Sequence, residues 1–294
     1  MKFFVLVAFP YFDKGFFNAF SEIPKEKYEL WIDSGAFTAH TIGKKITLDQ
    51  YHNFLDKASG FNVKAKVQLD VIGNEKKTWE NFLESKKQGF DVNPVFTRGS
   101  DLKSLDRMYE YDDYVFIGGI HGTKRPNFVK KILMYNKNRK CHLLGFCDTD
   151  FIKHFKPYSV DVSSWMAAAR YGNLQVYVGG GKLKTINKND FSRGIPKKLI
   201  KYFLMLKVPP EQLRWLGKNE AWRISGRFEW LNGGKGISGF PFYISAMGWL
   251  LRQYDIYKHT KTRLVFAASP HTYLRMAIAA RDHLIKVGLI KEDL

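Results

Sequence analysis

The stretch YELWIDSGAFTAH, residues 28–40, places an apolar run directly before an acid and a turn of small residues. A short apolar run of this kind predicts a buried strand, which here ends at Asp33. Asp and Gly are ordinary turn formers, so one explanation is that the turn Ser34-Gly35-Ala36 only stops the strand. The other is that Asp33 lies at the rim of a barrel, where the active sites of such folds are found. The rest of the chain bears on this choice.

Further apolar runs bounded by turn residues repeat the pattern. They predict strands at residues 3–9, 65–70, 93–97, 114–119, 141–146 and 158–162. Helical spacing of apolar residues lies between several of them, at 47–58, 78–89 and 125–138. Continuously apolar strands that alternate with helices are typical of a parallel sheet covered on both faces. The pattern favours an α/β fold, a TIM-type (β/α)8 barrel, over an open sheet.

The chain after residue 170 departs from this alternation. GNLQVYVGGGKLKTIN, residues 172–187, predicts an inserted β-hairpin that turns at Gly179-Gly180-Gly181. We expect residues 1–190 to form the barrel and residues 191–294 a basic, mainly helical C-terminal region. Within that region, the run at 263–269 is the candidate strand that would close the barrel.

The balance of 47 Lys and Arg against 28 Asp and Glu gives the chain a formal net charge of +19. Residues 182–294 are the more basic part, with 21 basic and 8 acidic side chains. The positive electrostatic field of such a chain attracts polyanions, so binding of nucleic acid is the first explanation of the charge. A solvated basic surface with no such partner is the alternative.

Cysteine content and hydropathy indicate the compartment. Cys141 and Cys147 cannot build a disulfide framework, which suits a reducing compartment. No apolar run reaches the ~18–20 residues needed to span a membrane, so we expect a cytoplasmic protein with no membrane partner.

Three acids, Asp33, Asp70 and Asp161, fall at or near predicted strand ends. Active sites of TIM barrels lie at the C-terminal ends of the strands, so these acids carry more weight than others. Asp148 and Asp150 begin a predicted helix, where acids cap the helix and complement its dipole. Three acids at the C-terminal end of one barrel suit glycosyl transfer, in which one carboxylate attacks an anomeric carbon and another group moves a proton.

Five segments, in the same order along the chain, resemble motifs of the tRNA-guanine transglycosylase (queuine tRNA-ribosyltransferase) superfamily. WIDSGAFT resembles the family's Asp-Ser-Gly-Gly-Phe-Gln strand end, VQLDVI its base-reading acid, and FIGGIHG its Gly-Gly-Leu-Ala-Val-Gly loop. HLLGFCDTDFI is similar to the family's Leu-Met-Gly-Val-Gly segment, and VDVSSWMAAARYGNLQVY to the segment with the nucleophilic Asp. Together the matches cover about residues 29–186.

The resemblance implies an enzyme that exchanges guanine for a 7-deazaguanine through a covalent Asp-glycosyl intermediate. It implies that Asp161 is the nucleophile, that Asp33 is the general acid/base, and that Asp70 accepts hydrogen bonds from the base. It implies no cofactor beyond the 7-deazaguanine co-substrate.

The implied base-binding set has further members: Ser34, Arg98, Gly118, Gly119, Ile120 and Leu144. Arg98 stands where the family has a glutamine, and Leu144 replaces its base-stacking methionine. The alternatives are that Asp70 is a strand-end cap, that the Gly118-Gly119 pair is a tight turn, and that Leu144 is core.

The family's Cys-rich zinc site has no counterpart here, since no cysteine follows Cys147, and we expect no structural metal. A short chain without zinc resembles the DpdA-type DNA 7-deazaguanine transglycosylases of bacteria and phages, which implies host cytoplasm if the chain is phage-encoded. DNA is therefore the expected partner. The alternatives are the same exchange on tRNA and a catalytically silent subunit that binds nucleic acid.

Basic side chains in and near the C-terminal region are the candidates for contact with phosphates. They are Arg170, Lys182, Lys184, Arg214, Lys218, Arg223, Arg227 and Lys235. Nearby tryptophans offer rings for base stacking, or else pack in the core at helical spacing.

Overall fold

The computed structural model describes residues 1–120, 126–223, 228–232, 234–268 and 271–292. The strands are β1 (Phe3–Ala8), β2 (Tyr28–Asp33), β3 (Val63–Lys66), β4 (Val95–Phe96), β5 (Tyr114–Ile117), β6 (Lys140–Leu143), β7 (Ser159–Val162), β8 (Asn173–Gly179), β9 (Lys182–Asn187) and β10 (Arg263–Ala267). The helices are α1 (Lys14–Glu22), α2 (Ala36–Thr41), α3 (Leu48–Ala58), α4 (Glu75–Lys87), α5 (Lys103–Tyr111), α6 (Pro126–Asn136), α7 (Thr149–Phe155), α8 (Ser164–Arg170), α9 (Ile200–Met205), α10 (Pro210–Leu213), α11 (Phe240–Thr260) and α12 (Thr272–Lys286).

Eight strands form one parallel sheet in the order β3-β2-β1-β10-β7-β6-β5-β4. The edge strands also meet, because a parallel bridge joins Val67, just after β3, to Asn93, just before β4. The amide of Gln68 donates to the Asn93 carbonyl at 3.0 Å, and the Asn93 amide donates to the Lys66 carbonyl at 2.7 Å. The predicted α/β fold is therefore confirmed, and the curled parallel sheet is consistent with a TIM-type barrel.

The candidate eighth strand is β10, which pairs in parallel with β1 on one side and β7 on the other. Ser269, the last residue of that predicted strand, lies outside the described residues, as does Arg125 at the start of the predicted helix 125–138. The inserted hairpin is confirmed as the antiparallel pair β8 and β9.

Strand β3 ends four residues earlier than predicted, at Lys66. After Lys66, side chains of α4 bind backbone groups that would pair with a neighbouring strand if β3 continued. The Asn81 side-chain amide donates to the Leu69 carbonyl at 3.0 Å. The Val71 amide likewise donates to the Thr78 hydroxyl at 2.8 Å. Asp70 therefore lies in a loop held against α4 rather than at the end of the strand.

The chain divides into two compact units. The first, here called the sheet unit, comprises residues 4–162 and 260–269, and the second, the helical unit, comprises 1–3, 163–259 and 270–294. The boundary expected near residue 190 stays a prediction.

In the sheet unit, an aromatic cluster packs α1 and α3 against each other. Phe12 is its centre, with ring centroids 5.6 Å from Phe20, 5.0 Å from Phe54 and 6.1 Å from Phe61. Ring pairs at such distances contribute ~0.5–1.5 kcal/mol beyond burial of their surface.

In the helical unit, the hairpin packs on α11. The indole N–H of Trp249 donates to the Gln175 side-chain carbonyl at 2.7 Å, and the Gln175 amide donates to the Ser245 hydroxyl at 3.1 Å. Gly248 permits this approach, because a Cβ there would lie 2.7 Å from the Gln175 backbone carbonyl oxygen.

Tryptophans of the helical unit pack on other aromatic rings. The Trp215 ring lies 5.9 Å from Trp230 and 5.1 Å from Phe240. Trp222 is buried and donates to the Leu216 carbonyl. These contacts favour the core role over base stacking. Across the described ranges, no helix is long and apolar enough to cross a membrane.

Candidate active site

The turn after β2 is shaped around Asp33. Gly35 has φ +72°, in the left-handed region that favours glycine, and a Cβ there would lie 2.2 Å from Cδ of Pro10. The Gly35 amide donates to Oδ2 of Asp33 at 3.0 Å. The turn therefore both reverses the chain and orients the Asp33 carboxyl group.

Ser34 connects this turn to the next acid. Its side chain is fully buried, and its hydroxyl donates to Oδ1 of Asp70 at 3.0 Å. Asp70 does not cap the following helix, because Asn74 performs that role for α4 by accepting from the Lys77 amide. Ser34 thus joins Asp70, in the loop after β3, to the turn that follows Asp33 at the end of β2.

Asp33 and Asp70 have perturbed acidities. Burial, followed by the charges of Asp70 and Asp161, raises the pKa of Asp33 from 3.8 to about 7. Burial also raises the pKa of Asp70, and the hydrogen bond from Ser34 opposes that rise. Asp33 is therefore a group that can hold or release a proton near neutral pH.

Asp161 lies within β7, and its side chain is 10% exposed. Its Oδ1 accepts two hydrogen bonds, from the Gly145 amide at 2.6 Å and from Nε2 of His142 at 3.1 Å. In the part of the chain that the structure describes, no group donates to Oδ2 of Asp161. One carboxylate oxygen is thus held by two donors, and the other accepts from none of the described groups.

His142 and Gly145 had no assigned role in the sequence-based prediction. His142 is fully buried on β6, directly beside Ser159 of β7 in the sheet register. The available signal was a histidine inside the apolar run CHLL, one strand before the acid. A buried histidine in such a run is also common as a core residue, so the sequence alone did not distinguish the two roles.

The remaining base-binding candidates form a second group near the ends of β4, β5 and β6. A Cβ on Gly118 would lie 3.8 Å from Cδ1 of Leu144, and one on Gly119, at φ +68°, would lie 2.9 Å from Cβ of Arg98. Ile120 is buried, Leu144 is half-buried and Arg98 is exposed. This close packing explains why glycine suits both positions, and the base-binding role of the group stays a prediction.

A cleft of about 700 Å³ opens beside Asp70, in the size range of roughly 300–1,000 Å³ typical of small-molecule sites. Its walls come from α2 and the segment after it, the Leu69–Ile72 loop and α4, and they combine apolar side chains with both basic and acidic ones; of the three acids, Asp70 lines the cleft, and Asp33 and Asp161 do not. Lys44, Lys45 and Lys77 line it, as do Glu80 and Glu84, and Lys77 pairs with Glu80 at 3.2 Å.

The phosphate-contact candidates belong to the helical unit. Those that the structure describes are all exposed: Arg170, Lys182, Lys184, Arg214, Lys218, Arg223 and Lys235. Arg227 lies outside the described residues. Lys182 and Lys184 share one face of β9, because side chains two positions apart on a strand point the same way.

Among the described residues, no group of three or more His, Cys, Asp or Glu side chains has an arrangement that could hold a metal ion. Comparison with known proteins gave no match to a family model, a curated protein or a solved structure.

Proposed function

We propose that this protein is a base-exchange transglycosylase that replaces guanine in DNA with a 7-deazaguanine through a covalent Asp161-glycosyl intermediate. We further propose that its curled sheet is a TIM-type (β/α)8 barrel with the active site at the C-terminal strand ends. One observation carries the proposal: Asp33, with a pKa of about 7, shares its surroundings with Asp161, whose Oδ1 accepts two N–H hydrogen bonds. Two acids with different environments at one site are what a nucleophile and a proton carrier require.

In the first half-reaction, Oδ2 of Asp161 attacks C1′ of the target nucleoside. The C1′–O bond forms as the glycosidic C–N bond breaks, and the bonding pair leaves with the purine, which takes up the proton of the Asp33 carboxyl group. The two N–H donors on Oδ1 keep the attacking carboxylate in one orientation, which favours a near-attack geometry.

In the second half-reaction, the incoming 7-deazaguanine loses its ring N–H proton to the Asp33 carboxylate and attacks C1′ through that nitrogen. The C1′–O bond to Asp161 breaks, and Asp161 returns to its anionic form. Asp33 ends protonated with the proton of the incoming base, while its first proton has left with guanine, so the two steps exchange one base for another without a net change in the enzyme.

The charge of the chain and the cleft support a polyanionic substrate and a small-molecule co-substrate. The net charge of +19 attracts nucleic acid, and the cleft beside Asp70 has the size of a site for a base or nucleotide. An anomeric carbon within a duplex is shielded, so the target nucleotide must leave the stack, which costs a few kcal/mol that phosphate contacts offset.

Mass spectrometry of nucleosides tests the proposal directly. Purified protein is incubated with DNA or tRNA and candidate 7-deazaguanines, and the nucleic acid is then digested and analysed. Wild-type protein is expected to introduce the modified base into DNA. Asp161→Ala should abolish exchange while leaving nucleic-acid binding nearly intact, since Asp161 is acidic and the phosphate-contact candidates are basic side chains elsewhere in the chain.

The matched control is Asp148→Ala. Asp148 is an exposed acid that caps α7 by accepting from the amides of Asp150 and Phe151, so its loss should lower stability without removing exchange. Trapping of a protein–nucleic acid adduct should succeed with the wild type and fail with Asp161→Asn. An adduct on another residue, or exchange by Asp161→Ala, refutes the assignment of the nucleophile, and exchange on tRNA alone refutes the DNA assignment.

A further inference from the structure

A chain of buried polar groups leads across the interior of the sheet unit to Asp161. Nε1 of Trp31 lies 2.9 Å from the Tyr114 hydroxyl, which lies 2.5 Å from the Ser159 hydroxyl. The Ser159 hydroxyl lies 2.6 Å from Nδ1 of His142, and Nε2 of the same ring contacts Asp161. All four residues before Asp161 are at most 4% exposed, so water cannot satisfy their polar groups.

Counting the available protons shows which group donates in each of these hydrogen bonds. The indole N–H of Trp31 can only donate, so the Tyr114 oxygen is an acceptor there and its own proton must go elsewhere. The nearer acceptor is the Ser159 oxygen, at 2.5 Å against 3.4 Å for Nδ1 of His142. Ser159 then has its own proton left to donate, and Nδ1 of His142 is the acceptor within reach. The single proton of a neutral imidazole must therefore lie on Nε2, where it donates to Oδ1 of Asp161.

The opposite direction leaves groups unsatisfied. If Nδ1 of His142 carried the proton, it would donate to Ser159 and Ser159 would donate to Tyr114. Tyr114 would then accept two hydrogen bonds while its own buried O–H found no acceptor, which costs ~1–3 kcal/mol. The lone pair on Nε2 would also face the Asp161 carboxylate. Burial raises the pKa of Tyr114 far above its usual value, so its hydroxyl keeps the proton that this count assigns to it.

The imidazole ring is also held in place by packing. The Phe116 ring on β5 stacks on His142, with centroids 4.7 Å apart and planes inclined by 27°. Rotation of the ring about its axis would therefore disturb both the stack and the two hydrogen bonds. Position and tautomer of His142 are fixed by neighbours from separate strands.

We propose that Trp31, Tyr114, Ser159 and His142 form a positioning relay that fixes the Nε2-protonated tautomer of His142 and thereby orients Asp161, leaving Oδ2 for the substrate. The four residues act through Asp161 and do not themselves contact the reacting atoms. The catalytic part of this inference rests on the proposed base exchange, whereas the tautomer of His142 is a property of the free protein.

The first test reads the tautomer without any substrate. In protein labelled with ¹⁵N-histidine, the His142 signals are assigned by their loss in His142→Gln, and the ring-nitrogen shifts report which nitrogen carries the proton. Wild type is expected to show the Nε2-protonated form alone. Tyr114→Phe and Ser159→Ala should each produce a mixture or the Nδ1-protonated form. A wild-type signal for the Nδ1-protonated form, or an unchanged Nε2 form in both variants, overturns the relay.

The second test measures exchange. Ser159→Ala should lower kcat by roughly 10–100-fold with little change in KM, the scale found when a partner that orients a functional side chain is removed. Ser85→Ala is the matched control, because Ser85 is also buried and its hydroxyl lies 2.9 Å from the ring of buried His52, which does not contact the acids. Its kcat should equal that of the wild type.

A double-mutant cycle separates the relay from a general loss of packing. His142→Gln retains an N–H donor for Asp161 but has no tautomer to be selected, so it should keep more activity than His142→Leu. In the His142→Gln background, Ser159→Ala should lose most of its effect on kcat. Equal effects of Ser159→Ala in both backgrounds overturn the inference. If no exchange occurs on any nucleic acid, the proposed function fails, and the ¹⁵N measurement still decides the relay.

Discussion

Replacement of Asp33 by Asn should slow base exchange and stabilise the protein at alkaline pH. Asn keeps the side-chain oxygen that accepts from the Gly35 amide, but it carries neither a charge nor a transferable proton. Loss of general acid/base help of this kind lowers rates by roughly 10²–10⁴-fold. The bell-shaped pH profile of kcat/KM should become one-sided.

The stability effect follows from the raised pKa of Asp33. The pKa of Asp33 moves from 3.8 to about 7 in the folded protein, so the folded state holds the proton more tightly than the unfolded state does. Stability from this group is therefore present at low pH, declines as pH rises above ~4, and is lost above about 7. Each pKa unit corresponds to ~1.4 kcal/mol, which sets an upper limit of ~4 kcal/mol on the penalty for ionisation. Partial exposure of Asp33 to solvent reduces this to about 2 kcal/mol.

Urea denaturation at pH 5 and pH 8, followed by circular dichroism and tryptophan fluorescence, measures this penalty. Asp33→Asn should raise the free energy of unfolding by ~2 kcal/mol at pH 8 and by less than half of that at pH 5. Asp49→Asn, which changes an exposed acid in the first turn of α3, should shift stability by the same small amount at both pH values.

Two results would refute the reasoning. If Asp33→Asn gives the same stability difference from the wild type at pH 5 and pH 8, Asp33 does not change its protonation state in that window. If Asp33→Asn also keeps full exchange activity, the acid serves only the turn, and the explanation by ordinary turn formation is correct.

Two further predictions concern the turn and the basic surface. Gly35→Ala should lower the free energy of unfolding by about 2 kcal/mol or more, because the new Cβ adds both backbone strain and overpacking against Pro10. Gly43→Ala is the control: Gly43 has φ +67° but no atom within 4 Å of an added Cβ, so its replacement should cost only ~1 kcal/mol. If the two variants lose the same stability in thermal or urea denaturation, the added Cβ at position 35 does not clash with Pro10. Replacing Arg214 and Arg223 together with Ala should flatten the salt dependence of DNA binding by up to about 2 units, if each neutralises one phosphate. An unchanged slope in fluorescence-anisotropy titrations, with binding lost only on changes in the sheet unit, would place the DNA elsewhere.

The strands and the positions of the acids were predictable because both depend on local patterns. Apolar runs bounded by turn residues indicate buried parallel strands, and the acid that follows such a run lies near the edge of the sheet. The end of β3 was predicted wrongly, since the chain beyond Lys66 remains apolar enough to continue the strand. Side chains of α4, brought there by the fold, bind its backbone instead.

The contact between His142 and Asp161 could not be predicted in the same way. It depends on the register between β6 and β7, in which His142 lies beside Ser159, and a shift of one residue would turn the imidazole to the opposite face. The close approach of Gly35 to Pro10 also joins segments from different parts of the chain. Each of these features is set by tertiary structure, which composition and spacing do not encode.

The proposed separation of roles between Asp33 and Asp161 rests on their different surroundings, since the two side chains are chemically identical. Asp161 has two N–H donors on a single oxygen, an arrangement complementary to a fixed negative charge. The Asp33 carboxyl group accepts from the Gly35 amide and lies near two further carboxylates, and burial together with those charges favours its protonated form. A nucleophile must keep its charge and an available oxygen, whereas a proton carrier must change state near the working pH. We therefore base the proposed assignment on the raised pKa of Asp33 and on the two N–H donors to one oxygen of Asp161, rather than on the order of the acids in the sequence.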